Sequence, residues 1–378
     1  MRSLLRFSLA IGAATVAFAQ FPGLTLPPSG NNQRSTVIQA IGPVKVTIDY
    51  SAPAVHGPDG KDRRGQIWGK LVPYGMQNLG FGTAKESPWR AGANENTVFA
   101  VSNDVTVQGK PLPAGRYGLH MIPGEDEWTI IFSKNAGAWG SFFYNPADDV
   151  LRVTTKAHKN DYHEWLAYEF TVRKPTEATV ELQWEDLAIP WTIKVDNAND
   201  IYISKLKYEL DNTPGFLPDG FDAAAQFCVQ NNTHLEQGLE WADAAISRQF
   251  IGKKDFGTLS IKALVLQKMG KDADADAVMQ EALRLPGTTA QEIHQYGRQL
   301  QGAKKMDEAI KVFKFNAEKN GDAWPVEVGL ARAYSAQGDL KQALEHAKKA
   351  LTQAPDPLNK KSLEGMVKTL EEGKPIEQ

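Results

Sequence analysis

The chain of 378 residues is short of several things whose absence narrows its chemistry. It has one cysteine, Cys228, so no intrachain disulfide can form, and its helical spacing in FDAAAQFCVQ predicts a buried, inert thiol. It has almost no net charge: 42 Lys and Arg against 45 Asp and Glu give −3, which offers nucleic acid or an anionic membrane no electrostatic hold. Beyond the first twenty residues no apolar run approaches the roughly 20 residues that a spanning helix needs. Catalytic signatures are also missing. There is no G-x-S-x-G, no H-x-H or H-E-x-x-H, and no glycine-rich turn leading from a strand into a helix. No cofactor and no metal are expected.

The N-terminus, MRSLLRFSLAIGAATVAFAQ, has Arg2 and Arg6, an apolar run from Phe7 to Phe18, and small-x-small at Ala17-Phe18-Ala19. This is the pattern of a secretory signal peptide cleaved near Ala19-Gln20, with no cysteine there to take a lipid. The mature protein is therefore expected to be exported, periplasmic or extracellular, with residues 20–34 forming a flexible N-terminal segment.

Seven of the nine tryptophans, at positions 68, 89, 128, 139, 165, 184 and 191, fall before residue 200, among short runs rich in β-branched residues. Alternation predicts strands at Val44–Tyr50, Thr97–Val101, Val105–Val107, Gly115–Ile122, Trp128–Ser133, Val150–Thr155, Trp165–Val172, Ala178–Trp184 and Thr192–Val195. No helical stretch separates them, so residues 35–198 are expected to form an antiparallel sandwich or jelly roll. The segment His56–Ser87 is too rich in Gly and Pro for regular structure and reads as a long loop, a common place for function.

From about Asn199 the composition shifts to Ala, Lys, Glu and Gln with helical periodicity. Leu330, Ala331, Tyr334, Gly338, Ala343, Ala347, Ala350 and Pro355 recur 34 residues upstream as Tyr296, Gly297, Leu300, Lys304, Ala309 and Phe313, and again as Lys262, Ala263, Leu266, Gly270, Ala275, Met279 and Ala282. That period and its small residues are the tetratricopeptide pattern, although Leu259, Ile293 and Glu327 stand where its tryptophan belongs. The expected layout is a linker over 199–222, helical repeats over 223–357 with a degenerate first unit around Trp241, and a capping helix and tail over 358–378. In such an array the first helix of each pair lines a groove. Gln267, Lys268, His294, Arg298, Gln301 and Arg332 fall there, a candidate surface for a protein or peptide partner.

Several motifs in order, LVPYG (Leu71–Gly75), PWRAGANENT (Pro88–Thr97), PLPAGRYGLHMIPG (Pro111–Gly124), WTIIFSK (Trp128–Lys134), WGSFFY (Trp139–Tyr144), DVLRV (Asp149–Val153) and HEWLAYEF (His163–Phe170), resemble a secreted bacterial family called domain of unknown function 2911. The resemblance runs from about Arg34 to Asp196 and implies an exported β-rich domain, some relatives of which carry C-terminal tetratricopeptide repeats. It implies no activity.

PWRAGANENT concentrates the polar chemistry of the first half. Arg90 suits a carboxylate, Asn94 and Asn96 a sugar or peptide, Glu95 a base and Trp89 a stacking face, with His120 or His163 as histidines that other strands bring in. The same residues equally make a tied corner, since Gly-Ala-Asn is turn material and an Arg–Glu pair can lock a loop. The expectation carried forward is a non-enzymatic exported binding or scaffold protein. Its β-domain would bind a small-molecule or carbohydrate ligand and its repeats a partner protein. The alternative is an exported hydrolase built around PWRAGANENT.

Overall fold

A computed structural model describes residues 32–376, so the expected signal peptide and cleavage near Ala19-Gln20 lie outside the described residues. The chain divides into two units at Ala198/Asn199.

The first unit holds two antiparallel sheets. One has six strands in the order β1-β2-β3-β6-β7-β8, where β1 is Gln33–Ile41, β2 Val44–Ala52, β3 Thr97–Val101, β6 Gly115–Ile122, β7 Glu127–Ser133 and β8 Asp149–Lys156. The other runs β5-β4-β10-β9, with β4 Val105–Val107, β5 Lys110–Leu112, β9 His158–Lys174 and β10 Glu177–Lys194. Alternation decides which side each residue faces. In β2, Val44, Val46 and Ile48 are inward while Lys45 is out; in β8, Leu151 and Val153 are inward while Arg152 and Thr154 are not. Between the sheets lie Phe99, Trp128, Phe132, Trp184 and Trp191, all under 2% exposed.

The alternation did not predict β5 or the start of β9 before Trp165, and two further strands differ from the sequence reading. The edge strand β1 starts at Gln33, inside the segment expected to be flexible. Its pattern is faint in the sequence because its burial is slight, as suits an edge strand whose polar residues discourage further pairing. The runs Ala178–Trp184 and Thr192–Val195 belong to one strand, β10. Its interior Pro190 falls between Ala188, the last residue paired with β9, and Ile193, the first paired with β4, so no ladder asks for its missing N–H.

The second unit is helical. The stretch 199–222, expected to be a linker, carries α1 (Ala198–Leu210), whose Ile203, Leu206 and Leu210 pack against the core of the next helices, and the start of α2 (Pro218–Asn231). Helix pairs follow: α2 with α3 (Leu235–Ser247), α4 (Phe256–Lys268) with α5 (Asp272–Arg284), α6 (Ala290–Gly302) with α7 (Met306–Asn320), and α8 (Trp324–Ala336) with α9 (Leu340–Thr352). The final helix, α10 (Pro357–Glu371), packs Leu363, Met366, Val367 and Leu370 on the last pair. Capping boxes at Asp255 with Thr258 and Thr289 with Glu292 start α4 and α6, which fixes the repeat boundaries. Cys228 is fully buried in the first helical core, and burial pushes its thiol up to about 11.

Candidate functional site

PWRAGANENT is a corner before it is anything else. Trp89 exchanges both main-chain hydrogen bonds with Met121 on β6, at 2.8 Å each. Ala91 and Asn94 then take left-handed backbone, φ 52° and 57°. For alanine that conformation costs on the order of 1 kcal/mol, so something must hold it. The Ala91 carbonyl accepts from the Tyr168 hydroxyl at 2.7 Å and from the Thr97 hydroxyl at 2.9 Å, both inside the sandwich. Ala93 N–H donates to the Ser51 carbonyl at 3.0 Å.

One side of this corner forms the wall of a cavity of about 660 Å³, within the range of small-molecule sites. Trp89, Arg90 and Asn94 reach it from the corner, His56 and Arg63 from the long loop, Glu164 and Trp165 from β9, and Trp184 from β10. The apolar backing is an indole cluster. Trp89 and Trp184 stack at 6.4 Å, and Trp68 meets Trp89, Trp128 and Trp184 edge-on at 6.0, 5.3 and 5.6 Å. Trp184 is 1% exposed and its indole N–H is buried without an acceptor, whereas Trp165 is 42% exposed.

Arg90 lies over the Phe142 ring at 5.2 Å and donates Nη1 to the Asn94 carbonyl at 2.6 Å. A Cβ on Gly140 would meet the guanidinium carbon at 2.4 Å, so that glycine makes the room. Burial lowers the Arg90 pKa from its ordinary value. Arg63 donates Nε to the Val55 carbonyl and Nη2 to that of Ala54, at 3.0 and 2.6 Å. Opposite them, Glu164 accepts from the His56 main-chain N–H at 2.9 Å, meets His56 Nδ1 at 2.9 Å and accepts from the Tyr162 hydroxyl at 2.5 Å. A carboxylate on Nδ1 favours the proton there and leaves Nε2 as the ring's other face.

Of the residues singled out in the sequence, Trp89, Arg90 and Asn94 share the cavity; the others do not join them. Glu95 bonds Arg34 Nη1 and the Ser51 hydroxyl, each at 3.2 Å, and is not part of the cavity lining. The expected Arg90–Glu95 lock is replaced by Arg34–Glu95, because Arg90 caps a carbonyl of its own turn. His120 is 2% exposed, its Nδ1 2.9 Å from the Ser141 hydroxyl and its Nε2 3.4 Å from Asn96. Burial, then the charge of Arg90, pushes its pKa down to about 4. His163 bonds the Asp161 carbonyl through Nδ1 at 2.8 Å and sits opposite Glu185 on β10, away from the cavity. The hydrolase arrangement required Arg90, Asn94, Glu95 and His120 or His163 in one pocket, and they are not brought together.

Sequence reasoning missed His56, Glu164 and Trp165 as partners. The pair His56–Glu164 is 108 residues apart in sequence, and only the placement of His56 in the long loop beside a strand end hinted at it.

In the array, Gln267 and Lys268 are exposed on α4, and Gln267 helps line a depression of about 580 Å³ with Ser260, Leu264 and Tyr296. His294 and Gln301 on α6 are buried rather than displayed, at 8% and 4%. Burial, then the charges of Arg332 and Arg298, pushes the His294 pKa down to about 4; burial and Arg298 bring Arg332 down to about 10. Gln301 and Arg332 line a second space of about 440 Å³ that the chain's own Pro375 and Ile376 also wall, with Ile376 N–H on the Ser335 hydroxyl at 2.8 Å. The expected groove is thus open at α4 and occupied by the chain itself at α8.

Residues 32–193 match the family described as "Protein of unknown function (DUF2911)", and residues 328–361 match a tetratricopeptide repeat. Among curated proteins none matches the chain. Solved structures similar to it include a thermophilic tetratricopeptide protein of Thermus thermophilus, at 19% identity and TM-score 0.31 over 46% of this chain and 91% of that one. A tetratricopeptide protein of Bacteroides fragilis gives 14% and 0.29, covering 46% and 91%. YrrB, described as a tetratricopeptide protein with an unusual peptide-binding site, gives 18% and 0.28, covering 45% and 83%.

Proposed function

We propose, from a chain whose first domain matches a family of unknown function and whose second is a tetratricopeptide array, that this is an exported, non-enzymatic binding protein. The β-domain takes a small ligand and the array contacts a partner protein. The observation that carries the ligand reading is the 660 Å³ cavity, backed by four indoles and with Trp165 exposed beside it. Core packing does not account for an indole left 42% exposed next to a cavity, while a ligand face does.

The array reading is supported by its repeat architecture and by the depression at α4, where Leu264 is 44% exposed among polar neighbours. Export is supported by the N-terminal pattern of two arginines, an apolar run and small-x-small.

The test is a fragment screen by thermal shift on the full mature chain, repeated on Trp165→Ala. Hits whose shift disappears in the variant place binding at the cavity; hits indifferent to it would defeat the reading. Affinity capture with Leu264→Glu tests the array, which should lose partners that the parent protein retains.

A further inference from the structure

The cavity beside the PWRAGANENT corner is lined, among the described residues, by two guanidiniums and one carboxylate, and we propose that its ligand is a small organic acid, a carboxylate carried on a flat apolar body. The assignment rests on the cavity being a ligand site. Arg63 and Arg90 both line it, and their bonds go to the carbonyls of Val55, Ala54 and Asn94. Among the described residues neither guanidinium has a carboxylate within ion-pair distance.

Among the described residues Glu164 is the one carboxylate of the lining, and it is taken by His56 and by the Tyr162 hydroxyl. A charge half removed from water with only neutral carbonyls for partners is costly. An incoming carboxylate relieves that cost, with bidentate geometry available from a guanidinium. The flat body follows from Trp165 and Trp89, with Leu71 and Leu79 beside them. A neutral sugar would gain the stacking but leave both guanidiniums uncompensated.

The full chain is titrated calorimetrically with indole-3-acetate, with indole-3-acetamide, the uncharged amide of the same size and ring, and with cellobiose. Indole-3-acetate should bind about ten-fold or more tighter than the amide, and that advantage should shrink as salt is raised. Arg63→Gln should abolish the advantage while the circular dichroism spectrum stays native. Because Arg90 also holds the corner, Arg90→Lys is the companion variant, and by keeping the charge it should keep the preference. Should Arg63→Gln fail to fold, the acid–amide comparison on the parent chain still decides. Equal affinities for acid and amide overturn the assignment, as does a preference for cellobiose or no binding of any of the three. The cavity reading survives the first two if Trp165→Ala weakens whatever binds, and stands or falls on the fragment screen in the third.

Discussion

The cores of the two domains are built from opposite ends of the size scale. Between the sheets the fully buried side chains include Trp128, Trp184, Trp191, Phe99 and Phe132; between the helices Ala242, Ala282, Ala309, Ala331, Ala343 and Ala347 are at 0% exposure. Large flat rings meeting edge to face do not tile space smoothly, and among its described residues the sandwich keeps a cavity and four buried indole N–H groups without acceptors. Small residues at a fixed period let helices approach closely and repeat the same joint. The difference bears on where each proposed role would sit: in a hollow beside the core of the sandwich, and on outward faces in the array.

Removing a ring from the sandwich should have the largest effect. Trp128 is fully buried against Trp68 and Trp89, so Trp128→Ala should cost about 3–5 kcal/mol in a urea titration. A loss under about 1 kcal/mol would mean that the cluster is loosely packed and the contrast between the cores overstated.

Acid should probe what the domains have in common. Each holds one buried histidine, His120 or His294, whose pKa is pushed down to about 4. Unfolded, the same histidines titrate near ~6.5, so the unfolded chain binds the extra proton first. The stabilisation from keeping each ring neutral is complete above about pH 6.5 and is lost as pH falls through about 4, worth about 3 kcal/mol per domain. His120→Gln and His294→Gln should each flatten the stability profile between pH 6.5 and 4, measured by denaturant titration across that window. A profile identical to the parent's would show the ring to be solvated.

Overfilling should separate the cores again. In the array, Phe313 is clasped by two glycines: a Cβ on Gly297 would meet its ring at 2.3 Å and one on Gly329 at 2.7 Å. Gly297→Ala should therefore cost about 1–3 kcal/mol, partly recovered by Phe313→Leu in the same chain. Additivity of the two substitutions would break the account, because it places both effects at one joint.

Legibility in the sequence followed the same division. Periods of two and of 34 marked most of the sandwich and three of the four repeat pairs, because both are imposed by burying one face of a regular element. What escaped was set by non-local demands. The β1 edge has little burial to announce it. The reading of β10 broke at Glu185, whose φ of 54° sits at a bulge, and at Pro190. Helix α1 carries Ile203, Leu206 and Leu210 at helical spacing, but outside the 34-residue register. At the site, the corner was legible as a local turn, yet the carboxylate that faces its cavity comes from β9. Glu164 and Glu95 are both acids beside motif tryptophans, and only the pairing of distant strands decides which one faces the cavity.

That choice between two carboxylates gives the smallest expected effect. Glu95 pairs with Arg34 on the edge strand, and their side chains are 46% and 50% exposed, so solvent screens the bond and Glu95→Gln should change stability by less than about 1 kcal/mol. It should also leave binding of any cavity ligand unchanged. Glu164→Gln is its counterpart in the cavity wall: it weakens the hold on His56 Nδ1 and removes the one carboxylate that, among the described residues, lines the cavity with Arg63 and Arg90. An acidic ligand should then bind tighter, by a few-fold, while a neutral one of the same shape should not. Calorimetry on the two variants side by side makes the comparison. An equal response at Glu95 and Glu164 would return the function to the corner itself and detach it from the cavity.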